Sequence, residues 1–231
     1  MTAHVNGVDL FYEVMGTGRP LLMVHGNGED HTIFAEAAAV LKDEFTCYLV
    51  DSRGHGGSTP VGELHYKDMA KDMIALVEHL DLRNVVFYGF SDGGIVGLMA
   101  AARCERITAL IVSGANLTPF GLKWYWRPVF RAMYLVNRDP KLRLMLREPH
   151  IGNADLKMIR MPTLVLAGSR DMIRTAHTRK IASGIPGAQL KILDGEGHGT
   201  YVIHEVKIGR IIRAFVRETG GAEEKHAESG R

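Results

Sequence analysis

A serine bracketed by glycines, set where an apolar run gives way to a helical pattern, is the feature of this chain best suited to covalent chemistry. Gly89-Phe90-Ser91-Asp92-Gly93 follows Val85-Val86-Phe87-Tyr88 and precedes an apolar stretch to Cys104. It matches G-x-S-x-G, with Gly94 as a further small residue. Read as strand, sharp turn and helix, it holds the Ser91 hydroxyl at the carboxyl end of a strand, beside the positive end of a helix. A serine hydroxyl is a poor nucleophile near neutral pH, so it needs a base and a group that orients the base. Among 11 histidines, His198 lies in Gly195-Glu196-Gly197-His198-Gly199, between the last strand pattern and the last helical one. The glycines there let the loop bend an imidazole over Ser91. His4, His65, His79 and His226 read as solvated, and His25 and His55 as supports for backbone in their loops. His31, His150, His177 and His204 show no partner pattern.

The orienting acid is expected in Ala167-Gly168-Ser169-Arg170-Asp171, after the next-to-last strand. Asp171 would accept the Nδ1 proton of His198 and fix its tautomer. Asp194 and Glu196 are rivals by sequence proximity, but closeness along a short loop does not aim a carboxylate at a ring. The loop one strand earlier, Ser113-Gly114-Ala115-Asn116, contains no carboxylate. An oxyanion needs backbone N–H donors, and these are assigned to Asn27, in the glycine-rich His25-Gly26-Asn27-Gly28, and to Asp92.

The elements that must position these residues alternate short apolar runs with helical patterns, which indicates an α/β class with a mostly parallel sheet of about eight strands. His4-Val5 and Asp9 to Val14, split by Asn6-Gly7, read as an antiparallel edge hairpin. Leu21 to His25, Thr46 to Asp51, Val85 to Phe90, Ile107 to Ser113, Thr163 to Ala167 and Gln189 to Leu193 read as strands. Helical patterns cover 66–80, 92–104 and 201–217. No strand pattern appears between Asn116 and Met158, so about 117–157 reads as a small helical cap inserted in a single domain of residues 1–218. The polar segment 219–231 is expected to be disordered.

The bulk properties exclude several classes. With 231 residues, one full core is feasible. A net charge of +2 gives no reason to expect a nucleic-acid partner. No run approaches the roughly 20 apolar residues of a membrane span, and the first residues lack a signal-peptide layout. Two cysteines, Cys47 and Cys104, sit in segments that read as buried, which suggests a reducing compartment and hence the cytoplasm. No His/Asp/Glu grouping shows ligand spacing on one element, so neither metal nor cofactor is expected.

Over roughly residues 4–217 the chain resembles the α/β-hydrolase superfamily, in its small cofactor-free serine esterases. The resemblance rests on His25-Gly26, on Asp51-Ser52-Arg53-Gly54-His55-Gly56, and on the loops carrying Ser91, Asp171 and His198. It implies a nucleophile elbow, a catalytic triad in the order Ser, Asp, His, an oxyanion hole, and hydrolysis of a small-molecule carboxylic ester through an acyl-enzyme. The Ser-Asp-Gly-Gly elbow is similar to that of valacyclovir-hydrolase-like (biphenyl-hydrolase-like) esterases. Lactone hydrolysis, C–C hydrolysis and perhydrolysis by the same triad stay open, as does a ligand-binding receptor of the same fold. The oligomeric state is not legible.

Two features bear on substrate choice. The Asp92 carboxylate, next to the nucleophile, either attracts a cationic group or caps the helix that begins there. The cap from Leu117 to Pro149 carries seven basic residues against Asp139 and Glu148. Lys123, Arg127 and Arg131, spaced i, i+4, i+8, read as one solvated helical face, or as a guide for an anionic substrate or an acidic membrane surface. Trp126, with Leu122, Phe130, Met133 and Tyr134, is placed opposite, with Trp126 a candidate substrate contact. A cap this small predicts a fairly open, modest acyl pocket.

Overall fold

The computed structural model describes residues 1–229, with side-chain surroundings through residue 220. β1 (Thr2–Val5) and β2 (Val8–Met15) form the expected hairpin. Asn6 and Gly7 take φ of 47° and 74°, the two left-handed residues that a type I′ turn requires. The chain continues through β3 (Arg19–Val24), α1 (Ala35–Leu41), β4 (Phe45–Val50), α2 (Tyr66–His79), β5 (Val85–Phe90), α3 (Asp92–Ala101) and β6 (Ile107–Ser113). Three helices follow without a strand: α4 (Trp126–Asn137), α5 (Pro140–Arg147) and α6 (Asn153–Lys157). The domain closes with β7 (Thr163–Gly168), α7 (Thr175–Gly184), β8 (Gln189–Leu193) and α8 (Val206–Ser229). The expectation of disorder over 219–231 falls, beyond Gly220, outside the described side chains.

The eight strands form one sheet in the order β1-β2-β4-β3-β5-β6-β7-β8. β1 and β2 are antiparallel to their neighbours, and all pairs from β4 to β8 are parallel. Because side chains alternate along a strand, β3 sends Leu22 and Val24 to one face and Leu21 and Met23 to the other. The first face is covered by α2 and α3, which bury Met73, Leu76, Ile95 and Val96. The second is covered by α1 and α8, through Ala37, Leu41, Ile208 and Ile212. With both faces covered, β5 and β7 are buried at every residue, which is why they read as unbroken apolar runs.

Two helices escape the sequence pattern, and one boundary moves. α1 and α7 are short, with three buried side chains each, too few to set a period. The closing helix begins at Val206, not 201. Residues 199–204 instead form tight turns in which Val202 N–H and Ile203 N–H donate to Gly199 C=O, and His204, at φ 53°, donates its N–H to Ile33 C=O. Tyr201 and Val202 are thereby buried beneath the His198 loop.

The loop after β4 is held by buried polar groups. Asp51, fully buried, accepts from His31 N–H at 2.7 Å, His31 Nδ1 at 2.8 Å and Gly57 N–H at 2.8 Å. His31 therefore has a partner that its sequence surroundings do not reveal. Arg53 binds the buried Asp72 of α2 in a fork, at 2.5 and 2.6 Å. Removing one member of a buried pair leaves the other charge uncompensated, at a cost of about 3–5 kcal/mol. Arg53→Met should lower unfolding free energy by about that much, and Arg53→Met with Asp72→Leu should recover part of it. Urea denaturation of both variants checks this, and a loss below about 0.5 kcal/mol for Arg53→Met would show the pair to be dispensable.

Candidate active site

Ser91 occupies the corner between β5 and α3 with φ 53° and ψ −113°, a conformation that non-glycine residues adopt only under strain. Packing dictates the glycines around it. A Cβ on Gly93 would lie 2.0 Å from Val24 C=O, and one on Gly89 would lie 2.1 Å from Gly93 C=O. Only bare backbone fits at either position. The corner is tied to both flanking strands: Ser91 N–H donates to Ser113 C=O at 2.7 Å, and Gly93 N–H to His25 C=O at 3.0 Å.

The loops carrying Asp171 and His198 open at this same end of the sheet. His198 Nε2 lies 3.0 Å from Ser91 Oγ, and His198 Nδ1 lies 2.7 Å from Asp171 Oδ1. A carboxylate only accepts, so the proton belongs on Nδ1 and the Nε2 lone pair faces the hydroxyl. Asp171 is buried and its Oδ1 also accepts Ile173 N–H at 2.8 Å. The ring of His198 packs on Phe90, with centroids 5.0 Å apart. Behind it, Gly114 has φ +63°, and a Cβ there would lie 2.8 Å from His198 Cε1. The rival acids are engaged elsewhere: Asp194 accepts from Ser169 Oγ at 3.3 Å, while Glu196 pairs with Lys207 and Thr200.

Asn27 and Asp92 also come together. The first turn of a helix leaves N–H groups without intrahelical acceptors. Gly93 and Gly94 N–H find His25 and Ser91 C=O, and Asp92 N–H has no acceptor among the described residues; neither has Asn27 N–H. A Cβ on Gly26 would lie 2.9 Å from that of Ser91, so the Asn27 loop runs directly against the serine. His25 holds that loop in place, donating from Nδ1 to Gly26 C=O at 2.7 Å and accepting Ser52 N–H at Nε2, 3.1 Å. Protonation would set two N–H groups against each other. Burial, with His55 beside it, lowers the His25 pKa to about 4.

The Asp92 side chain does not cap α3, because Ser91 is the cap position and Asp92 the first helical residue. Its buried carboxylate accepts from Tyr66 Oη at 2.6 Å and from Asn27 Nδ2 at 2.9 Å. Desolvation raises its pKa, outweighing the lowering effect of these two bonds. Tyr66 and Glu29 are site residues that local sequence did not flag. Glu29 Oε2 accepts Gly26 N–H at 2.8 Å, and burial pushes its pKa up to about 7. The space around Ser91 and Asp92 is only about 20 Å³, lined by Tyr66, Leu122, Met145 and Met172 among others, and so narrower than the open pocket expected. Trp126 is not among the lining residues; it stacks on Phe130 at 5.6 Å. Lys123 precedes α4 and so leaves Arg127 and Arg131 as the basic pair on that helix.

Comparison with known proteins adds three likenesses to a family match. Residues 19–131 match a family model described as alpha/beta hydrolase fold. The chain is 27% identical to the AB hydrolase superfamily protein YisY of Bacillus subtilis, over 90% of this chain and 95% of that protein. It is 27% identical to the serine hydrolase BPHL of Mus musculus, over 92% and 84% respectively. An esterase from Exiguobacterium antarcticum superposes with a TM-score of 0.81 at 20% identity, over 92% of this chain and 97% of that one.

The raised Glu29 pKa makes stability fall as pH rises. Between about 4.5, its ordinary value, and about 7 the folded chain keeps a proton that the unfolded chain has released. The penalty is complete above about 7. His25 acts in the opposite sense, losing stability as pH falls from 6.5 toward about 4. In Glu29→Gln, which keeps an acceptor for Gly26 N–H, the Tm advantage over the parent should grow as pH rises through the Glu29 window. His25 is common to both proteins and cancels in the difference. Parallel Tm curves would mean that Glu29 titrates as an ordinary carboxyl.

Proposed function

We propose that this chain, which has the α/β-hydrolase fold and matches that family's model over residues 19–131, is a serine hydrolase of small carboxylic esters, with Ser91, His198 and Asp171 as its triad. The observation that carries this reading is the unbroken relay from Ser91 Oγ through His198 to Asp171, at 3.0 and 2.7 Å. Ser91 attacks the ester carbonyl while Nε2 of His198 takes its proton; Asp171 holds the tautomer and balances the imidazolium. The negative oxygen of the tetrahedral intermediate is held by the N–H groups of Asn27 and Asp92. His198 returns the proton to the leaving alcohol, giving an acyl-Ser91. Water, deprotonated by the same nitrogen, then releases the acid and restores Ser91.

Two features of the site support this reading. The Asn27 and Asp92 amides have no acceptor among the described residues, so on this reading no hydrogen bond must break before they serve. The Met145 and Met172 thioethers in the lining are unbranched and adaptable, which suits a narrow pocket that must admit an acyl group. We place the protein in a reducing compartment, the cytoplasm, because Cys47 and Cys104 are both free and buried, with burial holding the Cys47 thiol up at about 12. No helix among the described residues is long and apolar enough to cross a membrane.

Hydrolysis of p-nitrophenyl acetate to octanoate should depend on Ser91, and Ser91→Ala should lower kcat by roughly 10⁴- to 10⁶-fold. Asp171→Asn should cost roughly 10⁴-fold, because the amide favours the wrong tautomer, whereas Asp194→Asn should leave turnover near that of the parent. Wild-type rates in Ser91→Ala, or damage from Asp194→Asn in place of Asp171→Asn, would refute the assignment. Labelling of Ser91 by a fluorophosphonate without turnover of any ester would point to a specialised substrate or a receptor.

A further inference from the structure

A second and larger cavity, of about 390 Å³, opens between the cap and the acid loop. Its walls are Phe120, Leu122, Trp124 and the side chains of Arg127, Arg131 and Arg174, with no carboxylate among its lining residues. None of these three arginines has an ion-pair partner among the described residues, and the Nε of Arg127 is buried without a hydrogen-bond acceptor. Arg127 instead stacks on Phe120, its Cζ 4.1 Å from the ring centroid. The two cap acids that could neutralise the cluster are used elsewhere. Asp139 accepts Lys141 N–H at the start of α5, and Glu148 accepts from His65 Nδ1 and Tyr66 N–H. Three like charges around one concave, apolar-walled space raise each other's energy, and an anion placed among them relieves it.

The cavity adjoins the serine. Leu122 lines both this cavity and the space around Ser91. Its strand-like segment is pinned to the acid loop: Leu122 pairs with Ile173, Lys123 N–H donates to Met172 C=O at 2.9 Å, and Arg174 N–H donates to Gly121 C=O at 2.8 Å. The cap stem, the arginine cavity and Asp171 therefore share one backbone frame.

We propose that this cavity is a binding site for the anionic end of an amphiphilic ester. A terminal carboxylate or phosphate is held by Arg127, Arg131 and Arg174, the apolar chain lies against Phe120 and Trp124, and the ester carbonyl reaches Ser91 past Leu122. The binding site stands on the cavity alone; its role in substrate choice rests on the hydrolase reading above. Guanidinium groups match carboxylate and phosphate geometry with paired N–H donors, and the aromatic walls supply the apolar contact that a bare inorganic anion would not use.

The chain has two tryptophans, Trp124 and Trp126, both on the cap, so intrinsic fluorescence reports on this cavity and needs no turnover. Titration with octanoate or octyl phosphate should give a saturable change, with affinity at least about tenfold above that for octanol. Replacing Arg127, Arg131 and Arg174 together by Gln should abolish that preference, while replacing all three by Lys should retain part of it. In the ester arm, monomethyl suberate should show a lower KM than methyl octanoate, and the Gln variant should lose the difference. Equal binding of octanoate and octanol, or an anion preference that survives in the Gln variant, would overturn the site. A response confined to vesicles containing anionic lipid, with none to monomeric octanoate, would also overturn it, in favour of a membrane-docking face. Octanoate binding without Ser91-dependent hydrolysis would leave the site standing and refute the hydrolase reading instead.

Discussion

The arrangement around Ser91 depends on backbone meeting backbone more closely than side chains allow. Gly93 presses on the end of β3, and Gly89 presses on Gly93, each at a separation where a Cβ would sit about 2 Å from a carbonyl oxygen. That contact brings three segments distant in sequence within a few ångströms: the β3 loop, the β5–α3 corner and the start of the β6 loop. It also explains why a strained serine persists. Its φ of 53° would relax in an isolated turn, but Ser91 N–H is held by Ser113 C=O and Gly93 N–H by His25 C=O. The folded sheet over-determines the corner, and the hydroxyl is left projecting because no other direction is open to it.

Electrostatics then sorts the buried groups into those that may carry charge and those that may not. His25 is kept neutral by burial and by the neighbouring His55, and in that form its two ring nitrogens serve one acceptor and one donor at fixed positions. This holds the Asn27 loop without adding a positive charge that would compete with His198. Glu29 and Asp92 are both raised by burial. A group of carboxyls that resist ionisation around Ser91 limits the negative field opposing a developing oxyanion, and magnitude matters here. At an effective dielectric constant of about 20, one full charge 4 Å away is worth about 4 kcal/mol, comparable with what one oxyanion donor contributes.

What the sequence made legible was the part written in contiguous residues. The elbow, the strands of the parallel sheet and the loops bearing Asp171 and His198 each announce themselves through a local pattern, and chain order relates them. Tyr66 and Asp92, 26 positions apart, meet only because α2 packs beside α3, and His31 meets Asp51 only because β4 ends beside the loop after β3. Neither pairing has a local signature. The cap shows a different limit. Periodicity correctly marks α4 as amphipathic, yet none of its residues is buried. A period tells which side chains share a face; whether anything covers that face is settled by elements elsewhere in the chain. Periodicity places Trp126 opposite the basic face, yet the tryptophan that lines the outer cavity is Trp124, which lies before the helix.

The two cavities carry opposite electrostatic character. Around Ser91 the titratable groups are carboxyls, Asp92 and Glu148 in the lining with Glu29 close by, and burial holds Asp92 and Glu29 toward the neutral form; beyond Leu122 stand three arginines. An anion next to the scissile carbonyl would find carboxyls and no guanidinium, and an anion farther along the chain would find guanidinium and no carboxyl. A substrate of the proposed kind, spanning both spaces, would thus be selected by the distance between its charge and its ester bond. On the proposed reading, a short anionic ester is disfavoured because its charge falls among buried carboxyls with no guanidinium beside them, whereas a longer one reaches the three arginines. Such discrimination works against the wrong ligand as well as for the right one, here through an uncompensated charge near Ser91 and the arginines beyond Leu122. The basic cap and the acidic floor, which gave opposing hints about substrate charge when read as separate stretches of sequence, are compatible once the fold sets them at two ends of one path.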